Sequence, residues 1–306
     1  MTTGRLTSSW PLAVGIDIGG TTSRAALVDQ QGNILDLARR PTPAGFDELT
    51  GWIRAMYVAL SAGRLAPVPL GLALPGVVDR AKGMLVRSVN LAWLERQPLV
   101  ATLERDAGIR PHLTSDAEAA TWAEYVQCDD SFDSFVHLRL GTGVACGVVI
   151  HGTLLPTDPA RRDHWPVLIV DQSANAPQCP CGLRGCLELY ASGKSLTAKA
   201  RALGFQELAD LQSALEAGDP RADAVIEDAA RAVNTAIGNL AARFAVETVV
   251  MGGGVLTALP SLFNLVRDAY ERENPEGSVA VQASRLGDDA GIIGAASLAL
   301  LHNQPK

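Results

Sequence analysis

The chain has no apolar run of membrane-spanning length, and its N-terminus lacks a charged start followed by an apolar stretch. With neither an anchor nor a leader to expect, a cytoplasmic protein is the default. Positive charge is scarce too: 26 Lys and Arg stand against 33 Asp and Glu, a net of −7. Such a surface has no footprint for non-specific contact with nucleic acid or an anionic membrane. No low-complexity linker interrupts the 306 residues. About a dozen residues precede the first predicted strand, too few for a helical DNA-binding module. Cysteine is sparse and odd in number, five in all, which argues against a disulfide framework. What remains is ordinary for a globular chain, 47% hydrophobic and 19% charged, with the length of about two domains.

Glycine is where the sequence becomes informative. In "VGIDIGGTTSRAALVD" (14–29), residues 13–17 read as a short apolar strand, Gly19-Gly20 as a turn and Ser23–Val28 as a second strand. "DQQGN" turns the chain into a third strand, "ILDLARR". A P-loop passes from its glycines into a helix; here the chain returns as a strand, so any phosphate site is a hairpin tip. The unit recurs about 120 residues later in "FVHLRLGTGVACGVVIHGTLL" (135–155), an internal duplication. Two related domains facing each other across a cleft, each offering one hairpin to a shared ligand, are therefore expected.

Amphipathic spacing predicts helices over 47–62 and 99–108, with a buried strand in "PLGLALPGVVD" (69–79). "PHLTSD" ends a strand, and "AEAATWAEYV" follows as a helix. Further helices are expected over 191–204, 206–216, 220–244, 261–272 and 290–301, with a strand in "ETVVMGGGV" (247–255). Strands alternating with helices make the class α/β. The expected division is 1–117 plus 290–306 for a small N-terminal domain and 118–289 for a larger one.

The first tip, Gly19-Gly20-Thr21-Thr22, offers backbone N–H groups and hydroxyls to phosphate. Alone it reads equally well as a tight turn. A second tip, Gly141-Thr142-Gly143, and a third cluster, Gly252-Gly253-Gly254, each follow an apolar strand. Together they suit a nucleotide, two for phosphates and the third for the adenosine side. Asp17 is then the anomaly, because a carboxylate beside phosphate is repelled by a few kcal/mol at an effective dielectric of ~20. A Mg²⁺ carried by the phosphates and bound to Asp17 through water resolves it.

Ser115-Asp116 lies at a strand end and helix start. Ser115-x-x-Glu118 is a capping box, which needs no Asp116. A carboxylate at that mouth can take the proton of a hydroxyl attacking a γ-phosphate. Cys179, Cys181 and Cys186, in "CPCGLRGC", have the spacing of a structural zinc site, against the alternative of free thiols. A fourth ligand must come from elsewhere, and His164 is the nearest candidate, though a lone histidine beside Trp165 is more often a packing residue.

Taken together, "DIGGTT", "LALPGVVD", "NLAW", "SDAEAATWAE", "LGTGVACGVVI", "CPCGLRGCLELYASG", "VVMGGGV" and "DDAGIIGAA" resemble the ROK family of sugar kinases and repressors, within the actin-like ATPase superfamily. The likeness runs through nearly the whole chain, and among ROK kinases it is nearest to bacterial N-acetylmannosamine kinases. It implies two actin-like (ribonuclease H-like) domains with ATP and Mg²⁺ in the cleft, and transfer of the γ-phosphate to a hexose or hexosamine hydroxyl. It also implies Asp116 as general base, Asn90 and Glu188 on the sugar, and a homodimer.

Two departures bear on the sugar. Family kinases usually carry Asn-Asp where this chain has Ser115-Asp116. The glycine-rich run ending Glu-x-Gly-His is replaced by "LLPTDPARRDHWPVLIVD". Two registers are open. In one, His164 serves zinc and Arg161 stands for the glutamate. In the other, which needs the smaller insertion, His164 takes the glutamate position on the sugar and Val167 replaces the zinc histidine. The expected function is thus an ATP-dependent sugar kinase, most plausibly for an N-acylated hexosamine. The alternatives are a non-catalytic sugar-sensing protein of the same fold and a repressor, the last opposed by the acidic charge.

Overall fold

The computed structural model of the protein describes residues 12–64, 67–128, 132–156, 168–274 and 279–303. The chain forms two compact units. One comprises Met1–Asp129, Leu154–Arg161 and Asp288–Lys306; the other comprises Asp130–Thr153 and Arg162–Gly287.

The first unit contains β1 (Leu12–Ile18), β2 (Thr22–Asp29), β3 (Ile34–Pro41), α1 (Phe46–Ser61), β4 (Leu70–Leu74), β5 (Val77–Asp79), β6 (Met84–Arg87), α2 (Leu99–Ala107), β7 (His112–Ser115) and α3 (Asp116–Val126). The C-terminal helix, Ala290–His302, completes it. Its main sheet has the order β3-β2-β1-β4-β7. The pairs β1–β2 and β2–β3 are antiparallel, while β1, β4 and β7 run parallel.

Side chains alternate across this sheet, and the two faces differ in size. Val14, Ile16, Ile18, Leu70, Leu72 and Leu74 point into a core shared with Leu49 and Ile53 of α1 and Leu99 and Leu103 of α2. Each such fully buried aliphatic side chain contributes about 1.5–3 kcal/mol relative to exposure. The opposite face carries small residues, Gly15, Gly71 and Ala73, and there the C-terminal helix lies almost in backbone contact. A Cβ added at Gly71 would run into the carbonyl of Ala295, and one at Gly294 into the carbonyl of Ala119 on α3. That packing keeps α3 whole within the first unit, whereas the boundary expected after residue 117 would have cut it.

The second unit contains β8 (Ser134–Leu140), β9 (Val144–Ile150), β10 (Thr153–Leu154), α4 (Glu188–Ala191), α5 (Gly193–Ala202), α6 (Leu208–Glu216), α7 (Pro220–Phe244), β11 (Thr248–Gly252), α8 (Gly254–Ala258), α9 (Pro260–Glu273) and β12 (Ala280–Ala283). Its sheet order, β10-β9-β8-β11-β12, repeats that of the first unit strand for strand. The senses repeat as well: β8–β9 is antiparallel, and β8–β11 and β11–β12 are parallel. The duplication read from the two glycine-tipped segments is therefore a duplication of sheets.

Differences from the predicted elements are local. The helix expected over 191–204 breaks at Ser192, whose Oγ accepts the Ser195 N–H at 3.1 Å and starts α5 afresh. The β5–β6 hairpin and the four-residue β12 had not been expected; both are too short to show a period. No helix among the described residues is long and apolar enough to cross a membrane.

Candidate active site

In the first unit the β1–β2 turn is tied from both sides. Gly19 N–H donates to the Thr22 carbonyl at 3.0 Å, and Thr42 N–H donates to that of Thr21 at 2.9 Å. The Thr42 hydroxyl reaches the Gly19 carbonyl at 2.7 Å and lies 2.9 Å from the Ser23 hydroxyl. Gly20 and Thr21 stay exposed at the apex. Asn90 sits directly over this apex, since a Cβ on Gly20 would stand 2.9 Å from the Asn90 Cβ. Two residues assigned separately, one to phosphate and one to sugar, are thus neighbours.

Asp17 points to the small-residue face of the sheet, so its carboxylate meets the start of the C-terminal helix. A Cβ on Gly291 would lie 2.8 Å from its Oδ2. The register of β1 and β2 sets Asp17 directly opposite Arg24, whose Nη2 lies 3.1 Å from that same oxygen. Arg24 also reaches Asp289 Oδ1 at 3.3 Å and donates to the Asp288 carbonyl.

Asp116 opens α3 immediately after β7. The capping box is formed in full: Ser115 Oγ accepts the Glu118 N–H at 3.2 Å, and Glu118 Oε2 accepts the Ser115 N–H at 3.0 Å. Glu118 is buried, accepts from the Thr114 hydroxyl at 3.1 Å and is ion-paired to Arg80. The box therefore accounts for Ser115 and Glu118, while Asp116 remains half-exposed, its Oδ1 accepting the Ala117 N–H at 2.9 Å. Asp17 and Asp116 lie at the same, carboxyl-terminal edge of the parallel strands. Asp17 is in register with Ala73 of β4, and Leu74 with Ser115 of β7. Through Ala73 and Thr114, Asp116 stands two strands across from Asp17 and two residues further along, which puts their backbones roughly 12 Å apart. Ligands of open α/β sheets bind at this edge.

The second unit repeats the arrangement with different parts. The tip Gly141-Thr142-Gly143 follows β8 and docks on the start of α5: Gly193 N–H donates to the Gly141 carbonyl at 2.7 Å and Lys194 N–H to that of Thr142 at 3.3 Å. Glu188, at the start of α4, lays its Oε2 against the tip, 3.2 Å from the Val144 N–H. A Cβ on Gly143 would stand 2.9 Å from that oxygen. Gly252-Gly253-Gly254 ends β11 beside the same strand end. Gly253 has φ +102° and no room for a Cβ against the Leu140 carbonyl. Behind it His137 is fully enclosed, its Nε2 without a hydrogen-bond partner among the described residues, and burial pushes it down to about 3.

Cys179, Cys181 and Cys186 converge, with all three Sγ atoms within 4.8 Å of one another and Cys181 and Cys186 3.6 Å apart. Two thiolates on a tetrahedral zinc at about 2.3 Å stand roughly 3.8 Å apart, so the trio fits that ion. Burial raises the Cys179 and Cys186 thiols above their ordinary range, with the neighbouring sulfurs adding to it for Cys186. The loop is folded by backbone bonds, Cys179 N–H to the Leu183 carbonyl at 2.8 Å and Gly185 N–H to that of Pro177 at 2.9 Å. Tyr190 donates to Asp171 Oδ2 at 2.6 Å, which ties α4 and its Glu188 to this loop. His164, Arg161 and Val167, on which the two registers turn, lie outside the described residues.

The structure thus gathers Asp17, Gly19–Thr22 and Asn90 on one sheet edge, with Ser115 and Asp116 farther along it. It gathers Gly141–Gly143, Gly252–Gly254 and Glu188 on the other. Sequence reasoning missed Arg24, Thr42, Arg80 and Asp289. Arg24 pairs with residue 17 because the turn is centred between Gly20 and Thr21, one residue beyond the Gly19-Gly20 turn expected. Thr42 and Asp289 meet the tip only through tertiary packing.

A sequence model of the ROK family matches residues 13–302. The N-acetylmannosamine kinase of Salmonella newport (strain SL254) is 33% identical over 289 residues, covering 94% of this chain and 97% of the relative. Among solved structures, the ROK hexokinase of Thermus thermophilus superposes with a TM-score of 0.83 at 29% identity, covering 95% of this chain and 98% of its own. A ROK family glucokinase from Streptomyces griseus, in complex with glucose and AMPPNP, gives 0.72 at 28%, covering 94% and 98%.

Proposed function

Since the chain belongs to the ROK family, we propose that it is an ATP-dependent carbohydrate kinase whose best candidate substrate is an N-acylhexosamine, N-acetylmannosamine first. The observation that carries this reading is the shared strand edge on which the glycine tip with Asp17 and the half-exposed Asp116 stand two strands and two residues apart. That leaves room for one phosphoryl group and its acceptor.

Backbone N–H groups of Gly19–Thr22 and Gly141–Gly143 hold phosphate oxygens, and Gly252–Gly254 lines the adenosine side. Asn90, Ser115 and Glu188 position the sugar. Asp116 accepts the proton of the sugar hydroxyl as that oxygen bonds to the γ-phosphorus and the bond to the ADP oxygen breaks. Asp17 is a partly exposed carboxylate beside the phosphate tip, the oxygen donor that magnesium takes. When bound, magnesium supplies the positive charge that offsets repulsion between this acid and the phosphates. Cys179, Cys181 and Cys186 hold a structural zinc, with His164 either its fourth ligand or a sugar contact. The protein works as a homodimer in the cytoplasm.

The test is ADP release from Mg·ATP across a panel of hexoses and N-acylhexosamines. Turnover on at least one sugar is expected, with Asp116→Asn lowering kcat by about 10²–10⁴-fold and leaving nucleotide affinity unchanged. A broad panel without turnover, with ATP still bound, would overturn the kinase reading in favour of a sugar sensor. Metal analysis of the purified protein should return about one zinc per chain. Less than about half would favour the register in which Val167 replaces the histidine.

A further inference from the structure

The acid in the phosphate tip already has a cation. Arg24 stands opposite Asp17 across the β1–β2 pair, with Nη2 at 3.1 Å from Oδ2. The guanidinium is held on its other side by Asp289 Oδ1 at 3.3 Å and by the Asp288 carbonyl. Only 15% of the Arg24 side chain and 19% of that of Asp17 is exposed, so solvent screens this pair less than a surface bridge. Asp17 itself rests on the backbone of Gly291, at the positive end of the C-terminal helix. Three separate parts of the first unit therefore fix one charge in one place.

We infer that Arg24 is a positioning residue: a resident counter-cation that neutralises Asp17 and lets the first tip accept nucleotide phosphates before any metal is present. The inference rests on the reading of that tip as a nucleotide site. Two carboxylates, Asp17 and Asp289, face one guanidinium, so the cluster keeps a net negative charge and still favours a divalent cation once phosphates are bound. A fixed guanidinium beside the acid changes what the metal has to do. Without Arg24, the unshielded Asp17 carboxylate repels metal-free nucleotide, and binding becomes strictly dependent on magnesium. With it, part of that dependence is relieved.

The experiment is calorimetric titration of the full-length protein with ADP, in EDTA and in excess Mg²⁺, for the wild type, Arg24→Gln and Arg24→Lys. Arg24→Gln is expected to weaken metal-free ADP binding at least tenfold while changing Mg·ADP binding by less than threefold; Arg24→Lys restores most of the metal-free affinity. Equal losses under both conditions would reduce Arg24 to a structural brace and overturn the inference, as would no change in either. Should the Arg24 variants fail to fold, the wild type decides: with Arg24 shielding Asp17, ADP must bind in EDTA within about tenfold of its affinity in Mg²⁺, and binding that strictly requires magnesium overturns the proposal. Wild type that binds no nucleotide in either buffer sinks the kinase reading as well, whereas wild-type binding with unaltered variants sinks only the role of Arg24.

Discussion

The β1–β2 hairpin and the β8–β9 hairpin occupy the same place in sheets of the same order, and both end in glycine and threonine, yet each meets its carboxylate from a different direction. In the first, the acid belongs to the strand, faces away from the large-residue core and is balanced by an arginine of the partner strand. In the second, the equivalent strand position carries no acid, and Glu188 reaches the tip from a short helix to accept a backbone N–H. The duplicated scaffold therefore fixes where a tip stands, and neighbouring elements decide its charge. On the proposed reading, both tips hold phosphate oxygens, but the acid that takes the proton stands on the first edge alone.

The sharpest way to break this division is to compare acids. Asp116→Asn should lower kcat by about 10²–10⁴-fold. Glu188→Gln should act mainly on KM, with at most about tenfold in kcat, because it exchanges one acceptor for another at the Val144 N–H. Equal losses in kcat would erase the contrast between the units.

Next in size is packing. Gly294→Ala forces a methyl into the Ala119 carbonyl and should destabilise the first unit by about 3 kcal/mol, read as a lower urea midpoint. Each unit also holds a neutral histidine away from bulk water: His112, half-buried and stacked on His302 in the first, and His137, buried, in the second. Burial lowers both to about 3, with His302 adding to the effect at His112. The unfolded chain then binds more protons than the native one between about pH 6.5 and 3. Stability is full above pH 6.5 and falls as the pH drops through that window, by up to about 1.4 kcal/mol per pH unit per histidine. Replacing either with glutamine should remove one histidine's share of that slope in urea titrations at several pH values. The smallest effect is a gain. Gly238, exposed within α7 with nothing near an added Cβ, should stabilise the second unit by about 0.5–1 kcal/mol as Gly238→Ala, measured by thermal unfolding.

Much of this was legible because it is local. The strands flanking each tip alternate or run apolar, the Ser115-x-x-Glu118 box announces the start of α3, and Asp219-Pro220 announces that of α7. The clustering of Cys179, Cys181 and Cys186 follows from a tight loop alone. What escaped depends on contacts distant in sequence. The placement of Asn90 over Gly20 needs the β4-to-α2 segment to fold back on the first hairpin. The burial of Glu118, which turns a surface cap into half of an ion pair, needs Arg80 from the preceding hairpin. The short strand β12 is held by its pairing with β11, and no pattern of its own marks it.

The C-terminal helix is buried along nearly its whole length, from Ala290 to Leu300, and supplies the floor under Asp17. During ribosomal synthesis the strands of the first unit emerge long before residues 290–302 do. Until that segment leaves the exit tunnel, one face of the early sheet lacks its cover and the β1–β2 tip lacks its base. The nascent chain can thus finish its later half first, and on the proposed reading competence for nucleotide arrives only with the final turns of helix.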